Sequence, residues 1–186
     1  MSEQGVLIRI QGTPNPGAWK FVLDRPVLTD GKATYSTIQE AEHNQMARSL
    51  FQIEGVKQVH YFQNVITVTH QFDYDSEKIQ EQVCAVIQTR MPTHNPNQTV
   101  IDEKKMSREN LSPEMQKIEE ILDRTIRPGL QGDGGDLEVL KLEENKLYVM
   151  YQGACGTCPS STAGTLMAIE GILREEFSPD LEVIPL

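Results

Sequence analysis

The sequence predicts an α+β protein of two small domains, each a short mixed or antiparallel sheet covered by helices. Strand-type runs and helix-period stripes recur on both sides of a break, and the apolar pattern lapses between Met91 and Ser112. The chain has 186 residues of which 38% are hydrophobic, enough to bury a core on each side of that break. The domains read as 1–92 and 113–186, joined by a linker over 93–112.

In the first domain, Trp19 to Leu23, Val56 to Tyr61 and Val65 to Thr69 carry the β-branched and aromatic content of strands. The last two form a hairpin turned at Gln63-Asn64. Ile38, Ala41, Ala47, Leu50 and Phe51 make one helical stripe. Ile79, Val83, Val86 and Ile87 make another, behind the start signal Asp75-Ser76. The linker is marked by Pro92, Asn95, Pro96, Asn97 and the mixed charges Asp102 to Lys105.

The second domain opens on Ser112-Pro113-Glu114: a serine cap, a proline at the first helical position and an acid in the first turn. Met115, Ile118, Leu122 and Thr125 line the helix that follows, and Arg127-Pro128-Gly129 is expected to end it. Leu137 to Leu142 and Lys146 to Tyr151 pair around Glu144-Asn145. A further helix starts near Pro159, with Leu166, Ile169, Leu173 and Phe177 on its apolar side. Ser178-Pro179 stops it, and Leu181 to Ile184 supplies a last strand, giving the order α-β-β-α-β.

A formal net charge of −10 argues against nucleic acid or an anionic membrane as a partner, because neutralising phosphates takes a surplus of Lys and Arg. The charge is uneven, with 8 basic and 10 acidic residues in 1–95 against 6 and 14 in 113–186. No run approaches the roughly 18 apolar residues of a membrane span, and Met1 to Ile10 lacks the pattern of a secretory leader. The three cysteines, Cys84, Cys155 and Cys158, are too few for a secreted disulfide framework. A reducing compartment fits them better, and the expectation is a cytoplasmic protein.

The chemistry concentrates at Gly153-Ala154-Cys155-Gly156-Thr157-Cys158-Pro159-Ser160-Ser161. Two cysteines three apart, between a strand and a helix, can hold one metal centre, oxidise to one another, or stay inert. A helix N-terminus favours thiolate, and strand, C-x-x-C, helix is also the local order of a thiol-disulfide oxidoreductase. Against that reading, a hairpin comes first here, and only a short helix and strand remain.

Metal binding meets a shortage of ligands. A structural zinc takes four ligands and an iron-sulfur cluster usually four thiolates, whereas this domain supplies Cys155 and Cys158. The histidines, His43, His60, His70 and His94, all lie in the first domain or linker. Two copies of the chain bridged by one cluster would complete the set and leave the cluster easy to release. Cys84, about 115° from the centre of its helix's apolar stripe, reads as a half-buried structural cysteine rather than a third ligand. Asp133-Gly134-Gly135-Asp136 reads as a tight turn that sets the loop beside the cysteines, with a cation site as the alternative.

These motifs carry a resemblance. Ile126-Arg127-Pro128, Gln131, Asp133 to Asp136, Gly153 to Thr162, Thr165-Leu166 and Ile169-Glu170 resemble the NifU-like C-terminal domain of Nfu-type iron-sulfur proteins. Thr13 to Pro16, Lys20-Phe21, Ala47 to Leu50, Gly55 to Lys57 and Ile66 to Thr69 resemble the Nfu N-terminal domain, so the likeness covers nearly everything outside the linker. The chain departs from the family pattern at Ala163-Gly164, Met167-Ala168 and the turn Phe62-Gln63-Asn64.

The resemblance implies a carrier rather than an enzyme: a scaffold holding a 4Fe-4S cluster between the Cys155 and Cys158 pairs of two chains. It would receive the cluster from an upstream donor and hand it to apo iron-sulfur acceptor proteins. The family's N-terminal domain holds no cluster ligands and implies a role in recognising partners. The competing readings are a thiol-disulfide oxidoreductase using Cys155 and Cys158, and a binding module clipped by structural zinc.

Overall fold

The computed structural model describes residues 5–98, 111–155 and 159–186, with side chains in the last stretch from residue 163 onward. The chain divides into two compact units, 1–100 and 101–186.

The first unit is a five-stranded antiparallel sheet carrying helices on one face. Its strands are β1 (Ile8–Gly12), β2 (Ala18–Leu23), β3 (Lys32–Tyr35), β4 (Val56–Phe62) and β5 (Val65–His70), in the order β1-β2-β5-β4-β3. The three inner strands are those legible as apolar runs. The edges β1 and β3 are not: β1 has no buried position at all, because an edge strand need not bury an alternating face. Phe21, Val59, Tyr61, Ile66 and Val68 line the core, and the helices close it with Met46, Leu50, Ile79, Val83 and Ile87.

The β4–β5 hairpin turns at Gln63-Asn64 as expected, with Gln63 at φ 51°, a conformation glycine adopts more readily. Neighbouring chain secures the turn: the amides of Val27 and Leu28 donate to the Gln63 carbonyl at 2.7 and 2.9 Å, and Asn64 Nδ2 donates to the Leu23 carbonyl at 2.8 Å.

α1 (Gln45–Phe51) is shorter than its apolar stripe suggests. Asn44 caps it by accepting from the Ala47 amide, so Ile38 and Ala41 lie in the turns before the helix. Ala41 still packs in the core, which is why the stripe read as continuous. α2 (Ser76–Arg90) begins where Asp75 accepts from the Glu77 and Lys78 amides. A short 3-10 turn, Met91–Thr93, follows.

Despite its linker-like composition, the chain after Met91 packs back onto the first unit. His94 Nε2 donates to the Val27 carbonyl at 2.7 Å, the Thr29 amide donates to the Pro96 carbonyl at 3.0 Å, and Asn44 Nδ2 donates to Gln98 Oε1 at 3.2 Å. The unit therefore continues through Gln98. Asp102 to Lys105 lie outside the described residues.

The second unit contains α3 (Pro113–Thr125), α4 (Arg127–Gly132), β6 (Gly135–Glu143), β7 (Lys146–Gly153), α5 (Pro159–Glu176) and β8 (Glu182–Pro185). β7 pairs antiparallel with β6 and parallel with β8, giving a mixed three-stranded sheet. Ile118, Leu122, Leu137, Leu147, Val149, Ile169, Leu173 and Leu181 form its core. The α5 stripe ends as read: the Phe177 and Ser178 amides both donate back to the Leu173 carbonyl, at 2.9 and 3.0 Å.

In this unit too a boundary differs from the sequence reading. Arg127-Pro128-Gly129 does not merely end α3 but opens α4, because proline at a first helical turn surrenders only an amide that has no partner there. The order is thus α-α-β-β-α-β. Among the described residues no helix is long and apolar enough to cross a membrane.

Burial holds the His94 ring below its ordinary pKa of 6.5, a pull that its hydrogen bond to Val27 only partly opposes. The folded state therefore binds less proton than the unfolded chain, and the stability this gives is complete above pH 6.5 and lost as pH falls toward the folded value. Urea unfolding of the first unit is expected to show falling stability from neutral pH into the mildly acidic range, a slope that His94→Gln should flatten.

Candidate functional site

The site lies where β6 and β7 end together. In their register Leu137 faces Tyr151, Asp136 faces Gln152 and Gly135 faces Gly153. Gly134 (φ 81°) and Gly153 (φ 64°) take conformations that suit glycine, so both strands break off sharply. The Ala154 amide donates to the Gly134 carbonyl at 3.1 Å and ties the two turns together.

That tie places Cys155 directly over Gly135. A Cβ at Gly135 would stand 2.5 Å from Cys155 Sγ and 3.0 Å from both the Cys155 amide nitrogen and the Gln152 carbonyl oxygen. Only a residue without a side chain leaves that space. The Asp133 to Asp136 segment thus acts as a turn that seats the cysteine loop, the role read for it from sequence.

Cys155 is half-buried and packs against the second core. Cys158, with Gly156 and Thr157, lies outside the described residues. Cys84 belongs to the first unit, at the edge of its core on α2, and burial pushes its thiol above the ordinary value. Among the described residues no three His, Cys, Asp or Glu side chains gather as a metal-ligand set.

Behind the glycines stands a buried charge cluster that the apolar stripes did not announce. Arg127 is 3% exposed and Asp136 0%. The Arg127 guanidinium reaches Glu119 Oε2 at 2.6 Å, pairs with Asp123, donates to the Leu137 carbonyl at 3.3 and 3.4 Å, and lies 3.6 Å from Asp136 Oδ1. Asp136 also accepts from its neighbour's amide, Leu137 N, at 2.6 Å and from Gln131 Nε2 at 3.3 Å. Burial pulls the guanidinium pKa down, but Glu119 and Asp123 outweigh it and leave it raised. Glu119, Asp123 and Arg127 are spaced four apart, two acids followed by a base, a helical spacing that could have flagged the pairing.

The cluster couples α3 and α4 to the first residues of β6, and so to the glycine on which Cys155 rests. Removing one partner of a buried ion pair typically costs about 3–5 kcal/mol, because the remaining charge stays in the interior. Gly135→Ala tests the seat more locally. It is expected to displace Cys155 and to cost about 1–3 kcal/mol by overpacking, read as a lower thermal midpoint with faster alkylation of Cys155.

Comparison with known proteins places this geometry in a family. The model of the family described as "Scaffold protein Nfu/NifU N terminal" matches residues 8–94, and that of the "NifU-like domain" matches residues 118–184. The human mitochondrial protein named NFU1 iron-sulfur cluster scaffold homolog is 33% identical over 182 residues, covering 95% of this chain and 70% of the relative. NifU-like protein 5, mitochondrial, of Arabidopsis thaliana is 30% identical over 179 residues, covering 93% of this chain. The chain spans 65% of that protein's length. A solution structure of a NifU-like protein from Saccharomyces cerevisiae is 16% identical with a TM-score of 0.48, covering 53% of this chain and 90% of that one, a likeness too slight to add to the assignment.

The mitochondrial names of these relatives overturn the expectation of a cytoplasmic protein. That expectation rested on sparse cysteines, which report a reducing environment and do not distinguish one reducing compartment from another. With both family domains matched in order, and a third of its residues shared with a relative along most of both chains, this chain belongs to the Nfu/NifU family of scaffold proteins.

Proposed function

We propose that this protein is an iron-sulfur cluster carrier, in which Cys155 and Cys158 of two chains together hold one 4Fe-4S cluster for delivery to apo-proteins. The observation that carries the reading is the seating of Cys155: a half-buried thiol pressed onto a bare glycine, at the edge of a core and at the end of a hairpin. Family membership supports iron-sulfur cargo, since the human relative is named as a cluster scaffold. Two cysteines per site are half of the usual ligand set, and a second chain supplies the rest.

In this reading the protein binds and releases without catalysing a reaction. The cluster comes from an upstream donor, and an acceptor thiolate replaces one carrier thiolate at a time. Each exchange forms one iron–sulfur bond and breaks another, and the departing carrier thiolate picks up a proton from solvent. No bare cluster has to enter water.

A second reading has one observation in its favour. β7, α5 and β8 form a β-α-β unit with β8 parallel to β7, and the cysteine turn sits between β7 and α5. A thiol-disulfide oxidoreductase places its C-x-x-C at such a strand-to-helix turn. The antiparallel β6–β7 hairpin that precedes it has no counterpart in that arrangement.

Anaerobic reconstitution separates the two. The carrier reading expects about two irons and two sulfides per chain, with a dimer that forms only when the cluster is present and is lost in Cys155→Ser. A monomer that takes up zinc alone, or that turns over a disulfide substrate through a reversible Cys155–Cys158 bond, would reject it.

A further inference from the structure

We infer that the Tyr151 hydroxyl is a hydrogen-bond donor held ready for the sulfur of Cys155 in its cluster-bound form, which makes Tyr151 a positioning residue that sets how firmly this chain keeps its cargo. The inference rests on the carrier reading above and adds to it a residue outside the cysteine motif.

Sheet geometry puts the two groups together. Residues directly opposite in an antiparallel pair share a face, and residues two apart on a strand share it again. Tyr151 faces Leu137, and Gly135, two residues before Leu137, would project to that same face. The Cys155 sulfur occupies the place a Gly135 side chain would take. Tyr151 and Gly135 are therefore diagonal neighbours across the strand pair, a spacing of about 7–8 Å that an aromatic side chain bridges, and the Cys155 sulfur stands at the Gly135 corner on that core side. Both pack against the same core cluster.

The hydroxyl itself is the second observation. Tyr151 is 7% exposed, and its Oη has no hydrogen-bond partner among the described residues. Leaving a hydroxyl buried and unsatisfied is destabilising, and phenylalanine would fill the same space without that cost. A thiolate or sulfide arriving beside it supplies the missing acceptor. A tyrosine hydroxyl keeps its proton at neutral pH and can donate it in a hydrogen bond. Hydrogen bonds to cluster sulfurs draw charge from the sulfur and raise the reduction potential, and outer-shell partners strengthen metal retention.

Tyr151→Phe in the full chain tests this through opposite signs. Apo-protein stability should be unchanged or higher, because an unsatisfied group is removed. The loaded protein should show a more negative midpoint potential and about tenfold faster loss of iron to a chelator, the scale of one hydrogen bond to a charged acceptor. Ring-fluorinated tyrosine at position 151 keeps the shape and strengthens the donor, and should move the potential the other way. Unchanged potential and iron loss in both variants would overturn the inference, as would a lowered apo midpoint with an unchanged potential, which assigns Tyr151 to packing alone. If the wild-type chain assembles no cluster, the carrier reading itself fails, an outcome distinct from either.

Discussion

The second unit depends on one close approach, the Cys155 sulfur resting on the bare Cα of Gly135. A thiol that must bind and release cargo has to be accessible, yet a freely rotating side chain on a loop would spend entropy each time it bound. Seating the cysteine against backbone resolves the conflict, since the residue remains half-exposed while its sulfur and amide stand close over Gly135. The chain takes its sharp turns at Gly134 and Gly153, where positive φ is cheapest, and the Ala154 amide bonds across them.

Such a seat is only as rigid as the strand beneath it. β6 begins at Gly135, and its first residues are gripped by Arg127 through the Leu137 carbonyl and Asp136. A guanidinium with several fixed donors suits this task in a way a lysine would not, because it meets two carboxylates from α3, another from β6 and a carbonyl at once. Buried ion pairs are weak evidence for net stability, and here the value lies in specificity: the charges lock the register of two helices against the strand end. α4, the helix that sequence reading took for a mere stop, is what delivers Arg127 to that position.

The first unit is built on a different principle. Its sheet and two helices close their own core without buried ion pairs among the described residues, and side chain to backbone hydrogen bonds hold its turns instead. Cys84 sits at the edge of that core with its thiol made less acidic by burial, consistent with packing rather than ligation.

Much of this was legible in the sequence because it follows from local rules. The inner strands, the hairpins at Gln63-Asn64 and Glu144-Asn145, the caps at Asp75 and Ser112 and the stripe of α5 each rest on near neighbours in the chain. The sequence also set the chemistry, two cysteines three apart beside a glycine pair, and carried both family motifs. The edge strands, the true start of α1 at Asn44, the return of 94–98 onto the first unit and the opening of α4 at Pro128 were decided by tertiary structure. So were the Arg127 cluster, the Gly135 seat and the burial of the Tyr151 hydroxyl. The reason is common to all of them: each depends on groups distant in sequence occupying the same small space, and a residue's type and its neighbours in the chain do not say what will stand across from it once the sheet has paired.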